Sequence, residues 1–92
     1  MTLLNEKIIL VTGGARGIGA ATCRRAANDG YAVAVNYRKD KAAADALVAE
    51  IKAAGGNAIS VQADVSNEQD VVRMFDETVS KLGTPTAVAN SA

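Results

Sequence analysis

Short apolar segments alternate with amphipathic segments along the whole of this chain. The apolar segments are rich in β-branched residues, and such runs are typical of strands that are buried on both faces of a sheet. They predict strands at Lys7–Thr12, Ala32–Asn36, Asn57–Gln62 and Thr86–Asn90. The segments between them are alanine-rich or repeat apolar residues with helical spacing. They predict helices at Gly17–Asn28 and Lys41–Ala54, and from Ser66 as far as Gly83.

Start and stop signals support the three helices. Gly30, Gly55 and Gly83 follow them in turn, and glycine is the usual residue just beyond the C-terminus of a helix. Ser66 and Gln69 have the spacing of a capping box at the start of the third helix. We expect that helix to bury an apolar stripe consisting of Val71, Val72, Phe75, Val79 and Leu82.

The order of the predicted elements is β-α-β-α-β-α-β. Because one helix separates each pair of consecutive strands, the strands are expected to be parallel and to be joined by right-handed crossovers. The expected strand order is 3-2-1-4, with two helices on one face of the sheet and one on the other. This is a little over half of a doubly wound, Rossmann-like α/β sheet. We therefore interpret residues 1–92 as the N-terminal part of a single domain.

Charge and composition exclude several classes of partner and site. Lysine plus arginine equals aspartate plus glutamate at ten each, whereas nucleic-acid modules usually carry a basic excess. Cys23 is the one cysteine and there is no histidine, so a disulfide within the chain and a Cys/His zinc site are excluded. The N-terminus lacks the basic region of a signal peptide, and no apolar run is long enough to span a membrane. We expect a cytoplasmic protein.

The turn after the first strand has the sequence TGGARGIG, from Thr12 to Gly19. Glycines at such a turn allow a backbone conformation that a Cβ would block, and they let the chain approach a pyrophosphate closely. The helix that follows presents free amides and a partial positive charge to that phosphate. A tight turn without a ligand is the alternative, but a preceding strand and a following helix favour a dinucleotide. The predicted contacts in this turn are Thr12, Gly13, Ala15, Arg16, Gly17, Ile18 and Gly19.

The same turn resembles the cofactor loop, TGxxxGxG, of the short-chain dehydrogenase/reductase family. Two further stretches are similar to motifs of that family and follow in the same order. Asp64 and Val65 resemble the pair that holds the adenine ring, through a carboxylate and a backbone group respectively. Asn90, Ser91 and Ala92 resemble the start of the NNAG motif, with Ser91 in place of the commoner second asparagine, which concerns a supporting hydrogen bond.

The end of the second strand bears on which nicotinamide cofactor is bound. Folds that prefer NAD place an acidic side chain there, which bonds the ribose 2′-hydroxyl. This chain has Asn36, Tyr37 and Arg38 at that place, and its first acid there is Asp40. The Arg38 guanidinium suits a 2′-phosphate, and Arg16 in the glycine turn is able to reach the same side. We therefore predict NADP(H), with NAD(H) as a possible second cofactor.

The segment YRKDK has the spacing Tyr-x-x-x-Lys, which many hydride-transferring enzymes use for catalysis. Residues four apart share a helical face, so a lysine there lowers the pKa of the phenol. Here, however, Tyr37 ends a strand on the adenosine side of the site, and the next helix begins only near Lys41. We therefore do not interpret Tyr37 and Lys41 as catalytic.

The family resemblance implies the remaining expectations. The complete enzyme would transfer a hydride between the nicotinamide and a carbonyl or alcohol substrate, and it would form a homo-oligomer, either a dimer or a tetramer. The catalytic serine, tyrosine and lysine of the family follow a fifth strand, so we expect the 92 residues alone to be inactive. Two alternatives remain open: a non-catalytic dinucleotide-binding module, and a fragment that needs a partner chain. The fourth strand would then be an exposed apolar edge, which favours association.

Overall fold

A computed structural model describes residues 7–91 of the chain. It contains four strands and three helices in the predicted alternation. The strands are β1 (Ile8–Thr12), β2 (Ala32–Tyr37), β3 (Ala58–Gln62) and β4 (Ala87–Asn90). The helices are α1 (Gly17–Asn28), α2 (Lys41–Ala53) and α3 (Glu68–Lys81). Within the described residues, no helix has both the length and the apolar composition needed to cross a lipid bilayer.

The four strands form one parallel sheet in the order β3-β2-β1-β4, which confirms the predicted topology. Leu10 at the centre of β1 is level with Ala34 of β2 on one side and with Val88 of β4 on the other. Because all four strands run in the same direction, their carboxyl ends lie along one edge of the sheet. The segments that follow β1, β2, β3 and β4 therefore meet at that edge.

The helices cover the two faces of the sheet unequally. Helices α1 and α2 pack on one face, where Cys23, Leu47 and Ile51 meet Val11, Val33 and Val35 of the central strands. Helix α3 packs alone on the other face, where Met74 contacts a core that includes Leu10 and Val61. This is the predicted distribution of two helices and one. β1 and the first five residues of β2 are buried, as expected for central parallel strands covered on both sides.

The predicted apolar stripe of α3 is partly wrong. Val72 and Val79 are exposed by 57% and 46%, whereas Met74 and Thr78 are fully buried. Val71, Phe75 and Leu82 pack against the core as expected. The observed face, with Val71, Met74, Phe75, Thr78 and Leu82, is rotated away from Val72 and Val79. A search for apolar residues misses Thr78 because threonine is polar. Its hydroxyl is nevertheless compatible with burial, since it donates to the Met74 carbonyl oxygen at 2.8 Å.

The predicted cap of α3 is displaced by one residue. The N-cap is Asn67, whose Oδ1 accepts a hydrogen bond from the Asp70 amide at 3.0 Å. Ser66 lies one residue earlier and donates its hydroxyl to Asp64 instead. Both residues are common at N-caps, so the sequence pattern alone did not distinguish them. The displacement leaves Ser66 at the carboxyl edge of the sheet.

Candidate dinucleotide-binding site

The glycine turn between β1 and α1 has the backbone that its sequence predicts. Gly13 and Gly17 adopt positive φ angles of 63° and 55°, a region that L side chains rarely enter. A Cβ on Gly19 would lie 2.1 Å from the Gly13 carbonyl oxygen. Only glycine at position 19 therefore allows the first turn of α1 to pack this closely against the glycine turn. The turn is thus compact and holds the start of α1 directly beyond the end of β1.

Gly14 is a further requirement of this turn that the sequence reasoning did not single out. A Cβ there would lie 2.9 Å from the Val11 carbonyl oxygen and 3.1 Å from the Cys23 sulfur. Cys23 is buried, and its thiol donates to the Gly14 carbonyl oxygen at a sulfur–oxygen distance of 3.6 Å. The sequence signal for this requirement was the pair Gly13-Gly14, followed nine residues after Gly14 by a small residue, Cys23, in the predicted first helix.

Helix α1 differs from the other two helices at its N-terminus. Asp40 caps α2 by accepting from the Ala43 amide at 3.0 Å, and a side chain also caps α3. Among the described residues, no side chain caps α1, and its first turn has no acidic residue. Its N-cap, Arg16, is exposed and positively charged. The unpaired amides, the helix dipole and this arginine together favour an anion at this position.

Asn36 lies at the end of β2, but its side chain is turned into the protein. It is 2% exposed, and its Oδ1 accepts from the Gly13 amide at 3.0 Å. Its Nδ2 donates to the carbonyl oxygens of Val61 and Ala63 at 3.3 and 3.2 Å. The sequence predicted Asn36 as a cofactor-binding residue. In the fold its hydrogen bonds fasten the glycine turn to β2 and to the end of β3.

The ends of β1 and β4 are joined by side-chain hydrogen bonds. The Thr12 hydroxyl donates to Asn90 Oδ1 at 2.8 Å, and the Ser91 hydroxyl donates to the Thr12 carbonyl oxygen at 2.8 Å. Ser91 therefore supplies a supporting hydrogen bond at the place where the family motif commonly has asparagine. The Thr12 side chain is buried and is hydrogen-bonded to β4. Ala92, also predicted, lies outside the described residues.

A cavity of about 390 Å³ opens beside the glycine turn at the end of β2. Its lining consists of Gly13, Ala15, Arg16, Asn36, Tyr37, Arg38, Lys39 and Asp40. Six of these eight residues are among the site residues that the sequence predicted, and the fold brings them together. Lys39 and Asp40 are additions. Ile18, at the start of α1, is 81% exposed, which leaves an apolar side chain open to solvent beside this region.

Both arginines at the cavity have carboxylate partners. Arg16 Nε donates to Asp40 Oδ2 at 3.0 Å, and the two side chains form an ion pair. Hydrogen bonds from Arg16, and then from the Ala43 amide, lower the pKa of Asp40. Arg38 Nε lies 3.7 Å from Asp64 Oδ2. Because both arginine side chains are largely exposed, these surface ion pairs contribute little to stability.

Asp64 and Val65 lie just beyond the end of β3, after Ala63. Asp64 Oδ1 accepts from the hydroxyl and the amide of Ser66 at 2.6 and 3.0 Å, and its own amide donates to Asp70 Oδ2 at 2.9 Å. The hydrogen bonds from Ser66, with a smaller effect of the Arg38 charge, lower the pKa of Asp64. The carboxylate is therefore ionised and fixed in direction. Val65 is exposed next to it.

The model of the short chain dehydrogenase family matches residues 7–92. The chain belongs to this family. Among curated relatives, it is 46% identical to a 3-oxoacyl-[acyl-carrier-protein] reductase from Synechocystis sp. over 92 residues, which are 100% of this chain and 37% of that protein. It is also 46% identical to elsinochrome reductase 1 from Elsinoe fawcettii over 89 residues, 96% of this chain and 33% of that protein.

Solved structures of the family have the same fold over the region they share with this chain. A dehydrogenase/reductase from Sinorhizobium meliloti 1021 superposes with a TM-score of 0.92 at 43% identity, covering 97% of this chain and 35% of that one. A blue fluorescent protein from a metagenomic library, solved in complex with NADPH, has a TM-score of 0.87 at 39% identity over 95% and 36% of the two chains. This short-chain dehydrogenase sequence thus spans a little over a third of the length of such relatives.

Tyr37 and Lys41 do not form a helical pair in this family member. Tyr37 ends β2 and Lys41 is the first residue of α2. The Lys41 ammonium instead contacts Asp45 Oδ2 at 2.6 Å, and this hydrogen bond is the main cause that raises the pKa of Lys41. Tyr37 lines the cavity at the end of β2. The two residues therefore lie in different elements, although the Tyr37 side chain is near enough to make a small contribution to the raised pKa of Lys41.

Proposed function

We propose that residues 1–92 bind the adenosine and diphosphate portion of NADP(H) in a short-chain oxidoreductase. One observation carries the proposal: the uncapped, positively charged start of α1 and the Arg38 side chain flank the same cavity. The two positive regions match the two phosphate positions of an adenosine 2′-phosphate 5′-diphosphate. The charges of the residues present therefore fit this group.

Eleven of the fifteen predicted site residues have a direct role in this proposal. The amides of Gly17, Ile18 and Gly19 would hold the diphosphate, with Arg16 beside them. Tyr37 and Arg38 would flank the adenosine ribose, and Asp64 with Val65 would hold the adenine ring. Asn90 ends β4 and Ser91 follows it, on the opposite side of β1 from the adenosine cavity. These two residues, with Ala92 next in the sequence, would contact the part of the cofactor that leads to the nicotinamide.

The preference for NADP(H) over NAD(H) rests on charge at the end of β2. Residues 36–38 contain no carboxylate to bond a ribose 2′-hydroxyl, and Arg38 is largely exposed beside the cavity. Asp40 and Asp64 are nearby, but each already faces an arginine. A 2′-phosphate would exchange these surface ion pairs for stronger, charge-assisted hydrogen bonds. The structural relative that was solved with NADPH supports this preference.

For the whole protein, we propose hydride transfer between a carbonyl or alcohol substrate and the nicotinamide, which supplies or accepts the hydride. Two relatives that are equally identical to this chain are named as reductases of different substrates, 3-oxoacyl-[acyl-carrier-protein] and elsinochrome. We therefore extend to this protein the reaction type that they share, and neither of the two substrates. We further propose a homo-oligomer in the cytoplasm, where the thiol of Cys23 would stay reduced. A non-catalytic module or a two-chain assembly would use the same binding site.

The test compares two ligands that differ only by the 2′-phosphate, adenosine 2′,5′-bisphosphate and adenosine 5′-monophosphate, by isothermal titration calorimetry. We expect the bisphosphate to bind at least about tenfold more tightly, equivalent to ~1.4 kcal/mol. In Arg38→Gln the ratio should fall towards one. Arg25→Gln is the matched control, because it removes the same charge from an exposed arginine at the far end of α1. Equal affinities in the unmodified protein, or an unchanged ratio in Arg38→Gln, would contradict the NADP(H) assignment.

A further inference from the structure

Asn36 connects three separate parts of the candidate site through one buried side chain. Its Oδ1 accepts from the Gly13 amide at 3.0 Å, and its backbone carbonyl accepts from the Gly14 amide at 2.9 Å. Its Nδ2 donates to carbonyl oxygens of Val61 and Ala63. With the side chain 2% exposed, water has no access to replace these bonds. Their loss would leave buried polar groups without partners, which is unfavourable.

These bonds decide which amides of the glycine turn are available to a ligand. The Gly13 and Gly14 amides are committed to β2. The start of α1, whose amides no side chain caps, is what remains for an anion. The hydrogen bond to Gly13 sets the direction in which the amides at the start of α1 point. Without it, Gly13 could adopt other backbone conformations, because glycine has no Cβ to restrict its positive φ.

The same side chain also fixes the end of β3. Ala63 immediately precedes Asp64, and its amide donates to the Tyr37 carbonyl oxygen at 3.0 Å while its carbonyl accepts from Asn36. The Asn36 side chain therefore joins the glycine turn to the segment that carries Asp64, in addition to the backbone hydrogen bonds that Gly14 and Ala63 make to β2. An aspartate here would place a second oxygen against two carbonyl oxygens, and an aliphatic residue would bond neither side.

We propose that Asn36 is a positioning residue that aligns the diphosphate-binding turn with the adenine-binding segment, without touching the cofactor itself. The inference rests on the proposed function, since it presumes a diphosphate at the start of α1. In this proposal Asn36 holds the ligand-binding segments in position and does not contact the ligand. It also separates Asn36 from Arg38, two residues further along, whose side chain is largely exposed.

Amide hydrogen exchange in Asn36→Leu tests the local effect, because leucine has a similar volume and no hydrogen-bonding group. We expect the Gly13 amide to exchange at least tenfold faster than in the unmodified protein. The Gly14 amide is the internal control, since its partner is the backbone carbonyl of residue 36, which every substitution retains. Equal acceleration at Gly13 and Gly14 would indicate general destabilisation and would overturn the proposal.

Ligand binding tests the functional consequence. We expect the affinity of Asn36→Leu for ADP to fall at least tenfold and its affinity for adenosine to fall less than threefold. Thr78→Val is the matched control, because it also removes a buried side-chain hydrogen bond, but on α3 and away from the turn. It should leave both affinities unchanged. Parallel losses for ADP and adenosine, or an unchanged ADP affinity in Asn36→Leu, would contradict the positioning role.

The unmodified protein provides a measurement that does not depend on the folding of any variant. The Gly13 amide should already be protected from exchange without ligand, and saturating ADP should add protection at Gly17, Ile18 and Gly19 only. Free exchange at Gly13 without ligand would overturn the proposal. Absence of any ADP binding to the unmodified protein would instead refute the proposed function, so the two failures are distinguishable.

Discussion

Cys23 shows how a single buried residue supports the site without taking part in its chemistry. Its side chain lies between α1 and the glycine turn, where the thiol donates to the Gly14 carbonyl oxygen. Burial raises the pKa of this thiol from its ordinary value of 9.0 to about 12, although the nearby Arg24 charge acts in the opposite direction. The thiolate is the nucleophilic form, so the native protein keeps Cys23 unreactive at neutral pH.

Because of this shift, we predict that part of the free energy of unfolding is lost at alkaline pH. The folded state holds the proton more tightly than the unfolded state, so the contribution is complete below about pH 9 and declines as pH rises towards 12. Urea unfolding at pH 8 and pH 10 should show the stability advantage of the unmodified protein over Cys23→Ala shrinking by up to ~1.4 kcal/mol per pH unit. A pH-independent difference between the two proteins would contradict the shift.

The residues of the site divide into those that the sequence identified and those that needed the fold. The glycine pattern and the arginines were predictable, because their chemistry is local and follows one strand or opens one helix. The hydrogen bonds of the Asn36 side chain were not, because they depend on carbonyl groups in β3 and just beyond it that are 25 and 27 residues away. Asp40 was recognised as an acid, but its double use as the cap of α2 and the partner of Arg16 requires coordinates.

At the scale of elements, the termini of the helices carry the functional difference between them. Helices α2 and α3 begin with side chains that satisfy a backbone amide, whereas α1 begins with a glycine turn and an arginine. The order and topology of the elements followed from the alternation of two periodicities. The bounds of α3 and its buried face did not, because adjacent polar residues compete for the cap and a buried threonine interrupts the apolar pattern.

The cap of α3 supports a prediction that separates two neighbouring residues. Asn67→Ala should lower the free energy of unfolding by about 1 kcal/mol, because it removes the acceptor for the Asp70 amide. Ser66→Ala, the matched control, should leave the helix intact and raise the pKa of Asp64 instead, since it deletes a hydrogen bond to that carboxylate. Thermal unfolding by circular dichroism and NMR titration of Asp64 measure the two effects. A larger loss of stability in Ser66→Ala would restore the predicted capping box.

At the scale of the whole molecule, helices cover the two outer strands of the described sheet unequally: α2 and α3 pack against β3, whereas β4 is more exposed. β4 is the outer strand beside β1, and its residues are at most partly buried, in contrast to the central strands. Val88 is level with the buried Leu10, yet it is 54% exposed, because α3 packs against β3 and not over β4. Val72 and Val79 on α3 are exposed as well. This arrangement leaves apolar side chains and unpaired strand groups at one edge, which favours association with another strand.

Residues 1–92, prepared on their own, are therefore predicted to self-associate through β4 at micromolar concentration. Val88→Lys should shift it towards the monomer, because a charge on an outer strand opposes pairing with a second strand. Ala46→Lys adds the same charge to an exposed position on α2 and should leave association unchanged. Sedimentation velocity over a concentration series measures the distribution of the three proteins. Small domains have a net stability of only about 5–15 kcal/mol, so self-association should stabilise the folded state measurably. The melting temperature of the unmodified protein should therefore increase as its concentration is raised. A monodisperse monomer of the unmodified protein with cooperative, concentration-independent melting would show that the edge is stable without a partner.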